Sequence, residues 1–195
     1  MTIEPLPVPR WPACRDPGRD LLVVAVDTPD SAMRDVARRL VRAVLREILG
    51  PLEFVSRPGQ AIRPVNRESP VGISVSHENE CSLVAVNFSG PVGVDLLRLP
   101  DRPDWQAEIP ALAETYLGPG DAREIAGRPS HERVACFARA WTRHEARLKC
   151  RGLGLEEWGA ALEELLSPCR VRPLLLPAGY VGAVATLRVA EIPAL

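Results

Sequence analysis

Phe137-Ala138-Arg139-Ala140-Trp141-Thr142-Arg143-His144-Glu145-Ala146-Arg147-Leu148-Lys149 has helical periodicity, with an acid on its apolar side. At 3.6 residues per turn, Trp141, Glu145 and Leu148 share one face, and His144 lies partly on it. Glu145 is therefore expected at the edge of the core. Lys149 follows one turn later as the single lysine of the chain; every other one of its 24 lysine and arginine positions is arginine. An ammonium is a compact point charge on a flexible stem, suited to neutralising a phosphate oxygen or passing on a proton, whereas arginine is a rigid, permanently charged fork. The plainer reading of the same residues is an exposed i,i+4 pair contributing about 0.3–0.5 kcal/mol.

Outward from that stretch, the helix has a cap signal at Ser130 and a stop at Arg151-Gly152. Before it, a helix is expected around residues 107–117, ended by a break at Gly118-Pro119-Gly120. After it come a short helix over 156–166 and two apolar runs, 171–176 and 180–189. In the first half, residues 1–20 are proline-rich and read as irregular. Leu21 to Val26 reads as a buried strand, and a helix runs from an Asp30 or Ser31 cap through Ile48 to Gly50-Pro51. Strands are expected over 71–75, 83–88 and 92–97, with Ser76-His77-Glu78-Asn79-Glu80 as the turn between the first two. Helices interleaved with hairpin-type strands indicate an α+β fold rather than a doubly wound sheet.

The chain has 195 residues, 46% hydrophobic and 25% charged, with a formal net charge of −1. That is the balance of an ordinary folded protein, and it argues against an extended nucleic-acid footprint. Arg34, Arg38, Arg39, Arg42 and Arg46 cluster on the first helix, as a solvated face or as a patch for a polyanion. Five cysteines without CxxC spacing (Cys14, Cys81, Cys136, Cys150, Cys169) indicate neither a disulfide framework nor a zinc site, and read as small buried side chains. The first residues lack a basic segment followed by an apolar run, and no stretch approaches ~20 apolar residues. The expectation is a cytoplasmic protein without a membrane partner.

Two further stretches carry chemistry. Asp95 sits in Gly93-Val94-Asp95-Leu96-Leu97, on the strand face opposite Val94 and Leu96. If both faces are covered, its carboxylate needs a partner. Asp95 and Glu145 together suit a hard divalent cation completed by water and phosphate oxygens; separate pairing with arginines accounts for them equally well. Ser76-His77 reads as an anion cradle or as a hydrogen-bonded structural turn. No Gly-x-Ser-x-Gly elbow supports a serine hydrolase, and Gly152-Leu153-Gly154 reads as a helix cap, because it follows a helix instead of opening one.

Ser76-His77, Gly93-Val94-Asp95 and Trp141-x-x-His144-Glu145-Ala146-x-x-Lys149, followed by Gly152-Leu153-Gly154-Leu155, resemble in order and spacing the motifs of the 4'-phosphopantetheinyl transferase superfamily. Tyr116 to Asp121 resembles a further segment between those motifs. The likeness covers roughly residues 30–190 and is strongest over 72–155. It implies the type with two fused α+β halves related by a pseudo-two-fold axis, here residues 1–90, holding Ser-His, and 91–195, holding the metal and catalytic residues. Such a monomer holds coenzyme A between its halves. The resemblance further implies Mg²⁺ on Asp95 and Glu145, and Ser76 and His77 at the nucleotide 3'-phosphate. Glu145 would take the proton of a carrier-protein serine, and Lys149 would stabilise or protonate the departing 3',5'-ADP. His144 replaces a family lysine and would donate to phosphate, while Arg34 and Arg38 would stand in for N-terminal basic residues that bind coenzyme A.

The chain departs from the family pattern at three places. Leu97 stands where many fused members carry a second strand carboxylate, His144 stands for lysine, and Gly59-Gln60-Ala61 replaces a Gly-Lys-Pro segment. The acceptor that the resemblance implies is an acyl, peptidyl or aryl carrier protein. The competing expectations are a non-catalytic relative that binds a carrier protein or nucleotide, and a metal-dependent phosphohydrolase.

Overall fold

The structure is a computed structural model that describes residues 10–15, 21–28, 34–55, 62–65, 71–99 and 105–187. The first sheet has the order β1-β2-β6-β5, from β1 (Arg10–Arg15), β2 (Leu21–Asp27), β5 (Gly72–Glu78) and β6 (Cys81–Asn87). The second has the order β7-β9-β8, from β7 (Val92–Arg98), β8 (Cys169–Pro173) and β9 (Tyr180–Leu187). Two-residue strands β3 (Phe54–Val55) and β4 (Arg63–Pro64) pair apart from both. The described strand pairs are antiparallel within each sheet. Together with the helices they make the expected α+β fold.

Burial follows strand alternation. One face of the first sheet packs Val24, Val26, Ile73, Val84 and Val86 against Val41, Val44 and Leu45 of α1 (Arg34–Leu49). Its other face, with Val23, Leu83 and Ala85, meets Val92, Val94 and Leu96 of β7. The remaining face of the second sheet carries Ala183 and Ala185 against Ala146 and Cys150 of α4 (Ser130–Arg151). The order of layers is helix, sheet, sheet, helix. The N-terminal part of α4 buries Phe137 and Ala140 against α2 (Trp105–Leu112), a single π-helical turn (Ala113–Leu117) and α3 (Gly118–Ala126). Short α5 (Ala160–Leu166) closes over Leu148.

Four expectations change. Residues 10–15 form edge strand β1, and the register slips between Pro12 and Cys14; an edge position accommodates a proline that cannot donate to a ladder. Ser76, His77 and Glu78 belong to β5, paired with Leu83, Ser82 and Cys81, so the turn shrinks to Asn79-Glu80. Gly118-Pro119-Gly120 opens α3 instead of ending structure, because proline at the start of a helix lacks only an N–H that has no intrahelical acceptor. The short helix begins at Ala160 rather than 156. The expected cap residues Asp30 and Ser31, together with Gln60, lie outside the described residues. Among the described residues, no helix is long and apolar enough to cross a membrane.

β5 and β7 are joined across the two sheets by side chains. Ser74 Oγ accepts the Val94 N–H at 3.0 Å and Ser76 Oγ accepts the Leu96 N–H at 3.3 Å, both twenty residues apart. The Glu78 carboxyl continues the row at the Arg98 N–H. At its start, a Cβ on Gly72 would lie 3.0 Å from Val92 N and 2.2 Å from Gly90 O. The constant offset means that the two strands run in the same direction. Gly93 is the corresponding contact with α4: a Cβ there would lie 1.9 Å from Ala146 O and 2.4 Å from Cys150 N. Gly93→Ala should therefore push the helix off the sheet and destabilise the fold by about 1–3 kcal/mol, measured as a lower urea midpoint at unchanged slope.

Candidate active site

Asp95 is 6% exposed, and its Oδ1 is met by two donors. Lys149 Nζ lies at 2.6 Å and Ser76 Oγ at 2.9 Å, with Lys149 also 3.3 Å from Ser76 Oγ. Ser76 thus spends its proton on Asp95 while its lone pairs receive Lys149 and the Leu96 N–H. The hydroxyl is buried and fully used. A charge-assisted bond between a nearly buried carboxylate and the ammonium resolves the question of Asp95's partner: it is Lys149, not an arginine.

Glu145 lies one turn before Lys149, half-buried on the same side of α4. Burial pushes its carboxyl above the usual range, the charge of Asp95 adds to that push, and Lys149 opposes it. Glu78 is also raised, chiefly by burial, with a smaller push from Asp95. Negative charge therefore gathers around one ammonium.

A cavity of about 670 Å³ opens beside these groups, bordered by Arg38, Arg42, Arg63, His77, Glu145, Lys149 and the segment 152–155. Arg38 and Arg42 of α1 and Arg63 of β4 bring positive charge from the first half, and Lys149 of α4 from the second. Arg38 pairs with Asp35 at 3.3 Å across 60% and 89% exposed side chains, a weak tie that an anionic ligand can replace. His77 has its Nδ1 at 2.7 Å from Ser82 Oγ, which in turn lies 3.0 Å from Thr28 Oγ1. That buried hydroxyl pair orients the imidazole. Gly152, in the left-handed conformation at φ 71°, caps α4 by donating to the Leu148 and Lys149 carbonyls and turns the chain along the cavity wall.

Ser76, His77, Asp95, Glu145 and Lys149 are thus brought together. Arg34 opens α1, but its side chain lies outside the described residues. His144 is turned the other way: it is 5% exposed and lines a second cavity of about 570 Å³ with Arg143, Arg147 and Trp158. His144, expected to donate to phosphate, thus lies on a different cavity from Glu145 and Lys149. A helix turns consecutive residues by about 100°, and here that turn directs Glu145 to the first cavity and His144 to the second. Burial, then the charge of Arg147, lowers its pKa, which favours neutral imidazole. Arg42, Arg63 and the wall at 152–155 were not singled out as ligand-facing from sequence. Arg42 belonged to a noticed cluster, whereas Arg63 carried no local signal.

Among the described residues, no group of three or more His, Cys, Asp or Glu side chains is arranged to hold a metal ion. The donor chemistry of Asp95 and Glu145 nevertheless fits a hard cation whose shell is completed by water and phosphate oxygens. Their two carboxyl groups interact, and burial leaves both short of solvent.

The 4'-phosphopantetheinyl transferase superfamily model matches residues 91–175, which include Asp95, Glu145 and Lys149. The chain is 26% identical over 174 residues to the 4'-phosphopantetheinyl transferase HetI of a Nostoc species, covering 73% of this chain and 70% of that protein. It is 27% identical over 111 residues to AcpT of Salmonella typhimurium, 57% of this chain and 56% of that protein. It is 28% identical over 111 residues to AcpT of Escherichia coli K12, 57% and 55%; both are named 4'-phosphopantetheinyl transferases. The chain thus spans little more than half the length of the AcpT proteins. These likenesses bear out the resemblance read from the motifs.

Two outcomes follow from the site's geometry. A carboxyl whose folded pKa is raised binds protons more readily when folded, so Glu145 weakens the fold as pH rises above its unfolded value. Glu145→Gln should raise the urea midpoint at about pH 7, and the gain should shrink toward zero near pH 4, where wild-type Glu145 is protonated. Ser76→Ala should cost about 1–3 kcal/mol, because it strips partners from Asp95 and from the Leu96 N–H; an unchanged midpoint would contradict the seam between the sheets.

Proposed function

We propose that this chain, which matches the 4'-phosphopantetheinyl transferase superfamily over residues 91–175, transfers the 4'-phosphopantetheine arm of coenzyme A to a serine of an apo carrier protein, releasing 3',5'-ADP. The observation that carries the reading is the convergence of Asp95, Glu145 and Lys149 beside a cationic cavity. The transferase names of the relatives support it.

In this reading, coenzyme A lies in the cavity, with its phosphates toward Arg38, Arg42, Arg63 and His77. The cavity lies between the residues 1–90 and 91–195 that we read as the two halves. The carrier serine oxygen forms a bond to the β-phosphorus while the bond to the bridging oxygen breaks. Glu145 accepts the serine proton. Its raised carboxyl makes it a better match to a proton acceptor near neutrality than an ordinary surface glutamate. Lys149, held by Asp95 and Ser76, places its ammonium where charge grows on the departing 3',5'-ADP. Mg²⁺, held by Asp95 and Glu145, supplies charge neutralisation and orientation of the diphosphate when bound. The chain would act as a cytoplasmic monomer.

A non-catalytic carrier-binding relative is the second reading. Leu97, an aliphatic side chain where many members have an acid, favours it.

Incubating apo carrier protein with coenzyme A, Mg²⁺ and the protein should add one phosphopantetheine arm, read by mass spectrometry. Glu145→Gln and Asp95→Asn should abolish the gain, while Lys149→Ala should lower turnover by about 10²–10⁴-fold with a smaller change in coenzyme A affinity. Retained carrier binding without any gain across several carriers would replace this reading with the second. Loss of coenzyme A without an acceptor would indicate a phosphohydrolase.

A further inference from the structure

We infer that Cys169 and Cys150 form a thiol modification site, in which Cys169 attacks a low-molecular-weight disulfide and Cys150 resolves the product into a Cys150–Cys169 disulfide. The site belongs to the second cavity, on the side of α4 away from Glu145 and Lys149. Cys169, the first residue of β8, lines that cavity beside His144 and Arg147. Cys150, on the last turn of α4, packs with it in one cluster whose other buried members are Ala146, Ala183 and Ala185. The small alanine side chains bring helix and strand close and contribute no competing polar group.

The two thiols are unequal. Cys169 donates its S–H to the Arg147 carbonyl oxygen at 4.0 Å and accepts a hydrogen bond donated by Cys150. That donated bond, with Arg147 and Arg151 nearby, holds the Cys169 thiol below the ordinary cysteine range against the opposing effect of burial. The same bond, followed by burial, pushes Cys150 up. Cys169 is the sulfur on the cavity wall, and so the one an external disulfide meets first. Cys150 is 4% exposed and lies behind it.

The chemistry balances as two exchanges. The Cys169 thiolate attacks one sulfur of R–S–S–R, forming Cys169–S–S–R and releasing RS⁻. Cys150 then attacks Sγ of Cys169; its proton passes to the leaving thiolate, RSH departs, and the disulfide closes. The external disulfide is reduced and the two cysteines are oxidised. The product ties the end of α4, one residue beyond Lys149, to β8.

Oxidised glutathione added to the full native chain, followed by alkylation and peptide mapping, tests this. The expected product is a linked Cys150–Cys169 peptide pair, with Cys81 and Cys136 alkylated only after unfolding. Cys150→Ser should stop at one glutathione on Cys169, and Cys169→Ser should leave Cys150 unmodified. Because the wild-type map involves no substitution, it decides the matter even if a variant folds poorly. A Cys169 that reacts no faster than Cys81 and Cys136, or a stable glutathione adduct on wild-type Cys169 without closure, would overturn the site.

Discussion

The row of side chains from β5 to the backbone of β7 is the constraint on which the rest depends. Two stacked sheets ordinarily meet through apolar side chains, which specify burial but tolerate sliding. Here Ser74, Ser76 and Glu78 reach alternate N–H groups of β7 at a fixed offset, so a slip by even one residue would leave buried donors without acceptors. The glycine at the start of the row admits the approach, since any side chain at position 72 would strike the Gly90 carbonyl. Register between the sheets is therefore set by hydrogen bonds. Because Ser76 also binds Asp95, the same register places that carboxylate.

Fixing Asp95 there creates an electrostatic debt. A nearly buried carboxylate sits close to Glu145, and one ammonium serves both sides of the arrangement. Charges concentrated out of water cost stability unless each is matched, and here the match is incomplete by one negative charge. Burial first, and then the charge of Asp95, raises the Glu145 carboxyl. A site in this condition favours a further positive charge beside a polyanionic ligand, and an acid so placed takes up a proton more readily than its surface counterparts. Local destabilisation and chemical aptitude have the same origin.

α4 divides two environments. Glu145 and Lys149 face the cationic cleft, whereas His144 and Arg147 face the second cavity, and Ala146 and Cys150 lie flat against the second sheet. One helix can serve three neighbours because its successive residues point in different directions. Its glycine contact at position 93 keeps it close enough for Lys149 to reach Asp95. The cleft and the thiol pair are thus chemically separate while sharing one rigid support.

Much of this was legible in the linear chain. The apolar periodicity marked α1 and α4, alternation marked the central strands, and an acid interrupting each pattern marked Asp95 and Glu145. The lone lysine, among so many arginines, pointed to Lys149. Three errors came from local punctuation: prolines hid β1, a Gly-Pro-Gly run concealed the start of α3, and polar residues at Ser76 to Glu78 passed for a turn. In each case a distant partner supplied the missing hydrogen bond or packing, and no local rule registers that. His144 was assigned to phosphate from its place in a motif, whereas its side chain lines the second cavity. By itself the sequence determined the strongly periodic elements, α1, α4 and the central strands, and which side chains break their pattern, since both follow from short-range periodicity. Tertiary structure alone decided that Lys149 answers Asp95, that Arg63 and residues 152–155 wall the cleft, and that Cys150 meets Cys169. Those pairings join groups far apart along the chain, and their geometry exists only once the sheets are in register.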